Sequence, residues 1–557
     1  MRDLLDLLDR RAADGSVRYV RLDSSARNAG ELTGAELARR SHGLGARLAS
    51  RWPATGSTYV PIVARDPLAF IEAFFGVLRA GLVPVPAPGM PHTHPGHARR
   101  LSGIIEASAP RAVVVDTPEA AAASVLTDCP VLLLEEVRAA AAPVEPCAGG
   151  VADEVAYVQY TSGSLGAPQP VLLRQHHVLA HLAQAAEAFE ETAESVSVGW
   201  VPLYHDMGLV TAVLRPLWSG YTSVLLDPFD FVRDPSSWPR AMSDWEATHT
   251  SAPDFGYALC TRKVPGDTGE YDLSRMRVAR SAGEPVRATT MRSFAEKFRE
   301  AGFAHSAFAP SYGLAEATLT VTTCPPGRPP RTRALSAAAL RKGRVEESVA
   351  PADVQEVVSC GPPLRDTRVE ILDPDTGAVL GPDLVGEVWI SGPQVATSPD
   401  GHRVGGDLGH RTGDLGFRDG TELFLLGRAK ERFQRAGENF YSVELEAAVA
   451  AADHRIRQGR TAVFAARLPG GEDPVPVVLA ECRAETEREI DETAGRSLAR
   501  SVVSALGRGM GLPVSVVWLV PAGTLPVTTS GKIRRGSCRD AFEENAMPTI
   551  HRYGQGQ

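Results

Sequence analysis

Residues 155–170 read VAYVQYTSGSLGAPQP, an apolar run followed at once by a loop of Ser, Thr and Gly. The apolar run predicts a buried β-strand over 155–160. In the loop, small side chains let backbone N–H groups and hydroxyls surround phosphate oxygens. This order favours a phosphate-gripping loop, although Gly/Ser-rich loops also form ordinary turns.

The same alternation of strand and helix continues on both sides of this stretch. YVPIV at 59–63 precedes the helical pattern DPLAFIEAFFGVLRAG, RAVVVD at 111–116 predicts another strand, and a helix is expected from about Gln175. This rhythm predicts layered α/β structure with largely parallel sheets. After Cys360, the sequence VEILDPDTGAVLGPDLVGEVWIS predicts hairpins and a small β subdomain.

Composition limits the classes of function. The chain has 557 residues, 43% hydrophobic and 22% charged, as expected of a folded protein with more than one domain. Its net charge of −9 is spread along the chain, which argues against a nucleic-acid partner or an anionic membrane surface. The sequence contains no run of about 18 apolar residues, so it predicts no membrane span. Sparse cysteines without metal-ligand spacing favour reduced thiols and a cytoplasmic location.

Nine motifs, the first of which lies within the stretch quoted above, resemble the adenylate-forming superfamily from end to end. Within that superfamily, PLYHDMG and YGLAEATL are similar to the fatty acyl-AMP ligase branch. The motifs are YTSGSLGAP (160–168), WVPLYHDMGL (200–209), SAGEPV (281–286), SYGLAEATL (311–319), VGEVWISGP (385–393), HRTGDLGF (410–417), GRAKE (427–431), GENFY (437–441) and LPVTTSGKIRR (525–535).

The resemblance implies a domain organisation. A large N-terminal adenylation domain is expected over 1–428, with the β subdomain over about 357–428. A small mobile α+β lid domain is expected over 431–557, with its hinge at Lys430. Residues 324–361 are similar to the extra segment of the fatty acyl-AMP ligases. In that branch the segment restrains the lid, which limits the use of coenzyme A and favours acyl carrier protein.

The resemblance also implies a reaction. ATP and Mg²⁺ would serve the adenylation of a fatty or other hydrophobic carboxylic acid with release of pyrophosphate. The acyl group would then pass to an acyl-carrier-protein thiol in secondary metabolism. Such a site must align two anions and neutralise the charge that develops between them.

Three residues match the family's catalytic positions. Lys532 is expected to bridge the acid oxygen and the α-phosphate, and Glu316 to bind Mg²⁺. His205, followed by Asp206, is expected at the entrance of the acid pocket, although a structural histidine is also consistent with the pattern.

The remaining matches concern the nucleotide and the thiol. Asp414 would accept hydrogen bonds from the ribose hydroxyls, Tyr312 would stack on adenine, and Arg428 would contact ribose or phosphate. Gly437 would line the approach of the thiol. The other expected nucleotide-binding residues are Thr161, Ser162, Gly163, Ser164, Gly166, Ser281, Ala282, Gly283, Glu284 and Gly313.

The sequence departs from the family pattern in two places, and alternatives stay open. Leu165, Gln169 and Pro170 replace a threonine, a lysine and a glycine of the phosphate loop, which predicts weaker ATP binding or slower pyrophosphate release. The lid sequence Gly437-Glu438-Asn439 resembles that of coenzyme A ligases.

The alternatives are an acyl-CoA ligase, an enzyme that adenylates nitrite to diazotise an aryl amine, and a degenerate nucleotide-binding partner without turnover. The joint presence of Lys532, Glu316 and Asp414 counts against the last.

Overall fold

The computed structural model describes most of the chain. It covers residues 1–52, 58–89, 95–123, 126, 129–139, 154–161, 168–351, 353–396, 401–435, 438–468, 474–527 and 533–554.

Helices and strands alternate along this part of the chain. The helices, α1 to α17, are Leu4–Asp14, Gly34–Arg51, Pro67–Arg79, Pro95–Ser108, Pro118–Ala121, Leu134–Ala139, Gln175–Ala188, Asp206–Leu209, Arg215–Ser219, Pro228–Arg233, Ser237–Asp244, Asp254–Lys263, Ala288–Lys297, Ala337–Arg341, Ser442–Ala452, Glu492–Met510 and Arg535–Glu543. The strands, β1 to β27, are Arg18–Leu22, Asn28–Thr33, Tyr59–Val63, Val83–Pro86, Val113–Val115, Val131–Leu133, Val155–Thr161, Gln169–Arg174, Val196–Gly199, Thr222–Leu225, His249–Ala252, Val278–Ser281, Phe308–Gly313, Thr320–Thr323, Thr332–Ser336, Val354–Val358, Arg368–Leu372, Gly386–Ser391, His402–Val404, Asp407–Asp419, Glu422–Arg428, Arg432–Arg435, Glu438–Tyr441, Ile456–Ala466, Val475–Cys482, Val516–Val520 and His551–Tyr553.

An eight-stranded sheet forms the centre of the N-terminal part, with strand order β14-β13-β12-β11-β9-β10-β1-β2. The pairs from β13 to β1 are parallel, and only the two outermost pairs are antiparallel. A second, parallel sheet has the order β4-β3-β5-β6. The predicted α/β class with largely parallel sheets is therefore confirmed.

Helix α3 shows how the sequence selects these elements. The Asp66 carboxylate accepts hydrogen bonds from the backbone N–H groups of Leu68 and Ala69, and Pro67 occupies the first turn, where it costs no hydrogen bond. Phe74 and Phe75 are fully buried in the main core. The helix predicted after YVPIV is therefore present.

The β-rich sequence after residue 360 forms an antiparallel sheet. Its order is β17-β18-β20-β19, and β21 pairs with β20. The extra segment predicted over 324–361 contains β15, α14 and β16, and β15 pairs antiparallel with β16. The boundaries of the domains stay predictions.

The C-terminal part has its own α+β unit. Its sheet has the order β24-β25-β26-β27. Leu445 of α15 and Leu498 of α16 belong to the apolar cluster on this sheet, together with Val478. In the described part of the chain, no helix combines the length and apolar character needed to cross a membrane.

Candidate active site

The expected nucleotide residues lie at the carboxyl ends of two neighbouring strands. Ser281 ends β12, and Tyr312 and Gly313 end β13. The two strands are parallel, with Ser281 opposite Pro310, so their ends share one edge of the sheet. In open parallel sheets this edge is where ligands bind. The fold thus brings the 281–284 loop beside the Tyr312 motif. Within that loop the Glu284 carboxylate accepts a hydrogen bond from the backbone N–H of Phe255.

Gly313 allows a tight passage from β13 to β14. A Cβ atom at this residue would lie 1.6 Å from the carbonyl oxygen of Leu319, so only glycine fits. The turn between the strands contains the short helical segment Ala315–Ala317 with Glu316, whose side chain is half-buried. The backbone carbonyl of Glu316 accepts a hydrogen bond from Ala396 N–H at 2.7 Å. These contacts fix the position of a carboxylate at the sheet edge.

Asp414 joins two of the other expected residues. The Tyr312 hydroxyl donates to Asp414 Oδ2 at 2.7 Å, and Arg428 Nε donates to Asp414 Oδ1 at 3.0 Å. Tyr312 is only 6% exposed, and burial raises its pKa well above the usual range, so the phenol remains a hydrogen-bond donor. The Asp414 carboxylate also raises the pKa of Arg428. The carboxylate is thereby held in one orientation at the site.

His205 precedes a helix beside the main sheet. It is the N-cap of α8, and its Nδ1 accepts from Met207 N–H at 3.3 Å and lies 2.5 Å from Asp206 Oδ1. The side-chain amide of Gln159 on β7 donates to the carbonyl of Tyr204 at 3.0 Å. The strand before the phosphate loop is therefore linked directly to the His205 segment.

The phosphate loop itself is described only at its two ends. Ser162, Gly163, Ser164, Leu165 and Gly166 lie outside the described residues. The ends form a hairpin, in which Thr161 of β7 is opposite Gln169 of β8, and Tyr160 is opposite Pro170. Gln169 and Pro170, which depart from the family pattern, therefore lie at the exposed start of β8, the strand that follows the loop.

Three of the expected site residues belong to the expected lid and its hinge. Lys532 and Gly437 both lie outside the described residues. Lys430 lies in the exposed turn Ala429–Glu431 directly after β21.

Arg535, three residues after Lys532, is a residue that the sequence analysis missed. Its guanidinium binds both carboxylate oxygens of Glu446 at 2.7 Å, and its Nη1 donates to Glu431 at 2.5 Å. Burial opposes ionisation of Glu446 and raises its pKa, while Arg535 lowers it. Arg535 thus ties the start of α17 to α15 and to the turn beside Lys430. Spacing alone gave no sign of this contact.

The charge of the neighbouring Arg534 acts on a residue of the N-terminal part. Burial lowers the pKa of Arg100, and the nearby charge of Arg534 acts in the same direction. Arg100 in turn donates from Nη2 to the carbonyl of Tyr160 at 2.8 Å. Arg100, on which the charge of Arg534 acts, is thus hydrogen-bonded to the strand that leads into the phosphate loop.

A second missed contact joins the extra segment to the lid. Arg341 Nη1 donates to Glu444 at 3.2 Å, and both side chains are almost fully buried. Arg341 Nε also lies 3.6 Å from Glu438. Burial raises the pKa of Glu444 to about 7, while Arg341 lowers it. Around this pair, Leu335 and Leu340 of the segment share an apolar cluster with Tyr441.

Comparisons with known proteins show the family of the chain. The family model described as AMP-binding enzyme matches residues 9–398. The medium-chain-fatty-acid acyl-carrier-protein ligase JamA of Moorena producens is 31% identical over 98% of this chain and 95% of its own length. The 4-hydroxyphenylalkanoate adenylyltransferase of Mycobacterium marinum is 33% identical over 88% of this chain and 83% of its own.

A solved structure from a study of fatty acyl-adenylate ligases from E. coli and L. pneumophila is also similar. It is 27% identical, covers 98% of both chains and has a TM-score of 0.86. The chain therefore belongs to the AMP-binding enzyme family, in its fatty acyl-AMP ligase branch, and is an acyl-AMP-forming ligase.

Proposed function

We propose that this chain adenylates a carboxylic acid with ATP and then transfers the acyl group to the thiol of an acyl carrier protein in secondary metabolism. In the first step a carboxylate oxygen attacks the α-phosphorus, the bond to the β-phosphate breaks, and pyrophosphate leaves. In the second, a thiolate attacks the acyl carbon and AMP leaves. The observation that carries the proposal is the convergence of Tyr312, Asp414 and Arg428 at the end of β13.

This convergence suits a ribose. Asp414 offers only acceptors, and two hydroxyls of a ribose could share its oxygens with Tyr312 and Arg428. The loop 281–284 at the adjacent strand end is the expected place for the base. Thr161 and the following residues would contact the phosphates from the end of β7.

Glu316 fits a role as a Mg²⁺ ligand. Mg²⁺ is commonly held by one or two carboxylates together with substrate phosphates and water. A single half-buried carboxylate at the sheet edge matches this requirement, and no cluster of three or more ligand side chains occurs among the described residues. When bound, the ion would neutralise phosphate charge.

Lys532 is the group we assign to the reacting centre. An ammonium between the acid oxygen and the α-phosphate would stabilise the negative charge of the transition state. The support is the neighbouring Arg535, which anchors the start of α17 to α15 and to the turn beside Lys430. His205 would lie at the acid's entrance.

The contact between the extra segment and the lid favours the carrier protein over coenzyme A as the acceptor of the acyl group. Glu438, where the lid motif resembles coenzyme A ligases, lies 3.6 Å from Arg341 of the extra segment. Glu438, at which the lid motif departs from the family pattern, thus adds a carboxylate charge to this contact. JamA, by its name, is an acyl-carrier-protein ligase.

Acid-dependent ATP–pyrophosphate exchange tests the proposal. We expect exchange with at least one member of a panel of medium and long fatty acids and aryl acids, followed by acylation of a phosphopantetheinylated carrier protein. Failure of every acid, nitrite included, would contradict adenylation and favour a degenerate nucleotide-binding partner.

The contact between extra segment and lid gives a second prediction. Arg341→Met removes the cation from a buried pair and leaves Glu444 without it, so the lid should be released from the segment. We expect acyl-CoA formation to rise about tenfold, equal to about 1.4 kcal/mol, with the rate of adenylation unchanged. Thioester formation with coenzyme A is the measurement.

Arg344→Met provides the matched control. Arg344 lies in the same segment but is exposed and pairs with Glu346, a residue of the segment itself. It should leave acyl-CoA formation unchanged. Equal effects of both substitutions would contradict the role of Arg341.

A further inference from the structure

Arg280 is a buried guanidinium without a full set of partners. It is the third residue of β12, between Ser251 of β11 and Ala309 of β13, and it is 1% exposed. Its Nη2 donates to Thr320 Oγ1 at 3.3 Å. Its Nε and Nη1 are buried, and neither has a hydrogen-bond partner within the part of the chain that the structure describes. Two donors of one cation are therefore available to a ligand.

No carboxylate of the described ranges forms an ion pair with Arg280. Burial lowers its pKa to about 9, and the charge of Arg215 acts in the same direction, opposed by Asp206. Glu191 is already engaged, because its carboxylate accepts from Arg215 at 2.5 Å and from the Tyr221 hydroxyl at 2.8 Å. A buried cation without an anion is unfavourable, so this arrangement points to an anion supplied from outside the chain.

Arg280 lies among the residues assigned to the acid and the nucleotide. Ser281, at the nucleotide loop, follows it directly on β12. Thr320, which accepts its hydrogen bond, comes four residues after Glu316. Asp206, whose charge acts on the guanidinium, follows His205. Arg280 is therefore on the strand that leads to the nucleotide loop and is hydrogen-bonded to β14, the strand that follows the Glu316 turn.

The surroundings of Arg280 are polar rather than apolar. A cavity of about 20 Å³, enough for roughly one water molecule, is lined by Val278 of β12, two residues before Arg280. Ser251, directly beside Arg280 in the sheet, lines this cavity together with Arg215 and His249. The Ser197 hydroxyl, also in the lining, has no partner among the described residues. The same holds for both ring nitrogens of the buried His181, whose pKa is lowered by burial and by the charges of Arg215 and Arg280. A saturated alkyl chain in contact with these groups would leave them unsatisfied.

We propose that Arg280 forms an oxyanion subsite inside the acid pocket, so that the acid adenylated by this ligase presents an oxyanion to Nε and Nη1. This inference rests on the adenylation step of the proposed function. A dicarboxylic acid would narrow its substrate class, whereas nitrite would replace the carboxylic acid and exclude the acyl transfer. The oxyanion has two possible sources. It is either the second carboxylate of a short dicarboxylic acid or a small oxyacid such as nitrite. For nitrite, its oxygen attacks the α-phosphorus and pyrophosphate leaves, giving a mixed anhydride of nitrous acid and AMP.

The test compares acids of equal chain length on the full chain. ATP–pyrophosphate exchange is measured with hexanoate against adipate, octanoate against suberate, and nitrite alone. We expect kcat/KM for one oxyanion-bearing substrate to exceed that of each monocarboxylate about 100-fold or more, because a site built for a polar group rejects an analogue that lacks it. The choice between the dicarboxylates and nitrite identifies the source. This comparison needs no variant, so it does not depend on the folding of one.

Variants then assign the preference to the side chain. Arg280→Met should abolish the preference for the oxyanion and favour the monocarboxylates, and Arg280→Lys should retain part of it. Arg292→Met is the control, since Arg292 lies on α13, is exposed and pairs with Glu356. Hexanoate or octanoate as the best substrate, with no change of preference in Arg280→Met, would overturn the subsite while the proposed function stands. Exchange with no acid at all would overturn both.

Discussion

Lys532→Ala should lower acid-dependent ATP–pyrophosphate exchange by about 1,000-fold or more. The reason is electrostatic, because the ammonium is proposed to lie where the acid oxygen and the α-phosphorus meet, in a site shielded from water. ATP binding should persist, since the proposed nucleotide contacts of Asp414, Tyr312 and Arg428 do not involve the lysine. Exchange kinetics and a separate titration with ATP measure the two effects.

Two further substitutions serve as controls for this prediction. Lys263→Ala, at an exposed lysine at the end of α12, should leave exchange unchanged. Gly437→Trp should spare exchange and block transfer to the carrier thiol, because the bulky side chain would fill the approach of the thiol. Normal exchange in Lys532→Ala would show that the lid does not deliver the catalytic cation.

The second large effect concerns stability and the Arg215–Glu191 pair. The two side chains are 4% and 0% exposed, and the Glu191 carboxylate also accepts from Tyr221. Glu191→Ala would leave Arg215 charged, buried and without its anion. We expect the free energy of unfolding to fall by about 3–5 kcal/mol, measured by urea unfolding followed through tryptophan fluorescence.

The adjacent residue supplies the control for this pair. Glu190 binds Arg277 at 2.6 Å, but both side chains are more than half exposed. Glu190→Ala should therefore change the free energy of unfolding by about 1 kcal/mol or less. The double substitution Glu191→Leu with Arg215→Met should recover much of the loss, because it removes both buried charges together. Equal losses at 190 and 191 would contradict the importance of burial.

The sequence by itself determined the fold class, the family and most of the expected site. The spacing of apolar residues predicted the layered α/β structure. A strand and a helix each return side chains to their buried face at a different spacing, so the pattern tells them apart. Motifs such as YGLAEATL carried the expected site residues, whose spacing is set by local geometry. Gly313 illustrates this, since the turn that positions Glu316 has no room for a Cβ atom.

Only the tertiary structure decided which distant residues meet. Arg341 and Glu444, or Arg535 and Glu446, are about 90 to 100 residues apart and their pairing has no local period. Arg280 lies in an apolar strand pattern, where sequence alone gave it no role, and its isolation became visible only once its neighbours on β11, β13 and β14 were known. Burial and charge pairing are properties of the packed chain, so the substrate class inferred from Arg280 could not be predicted from the order of residues.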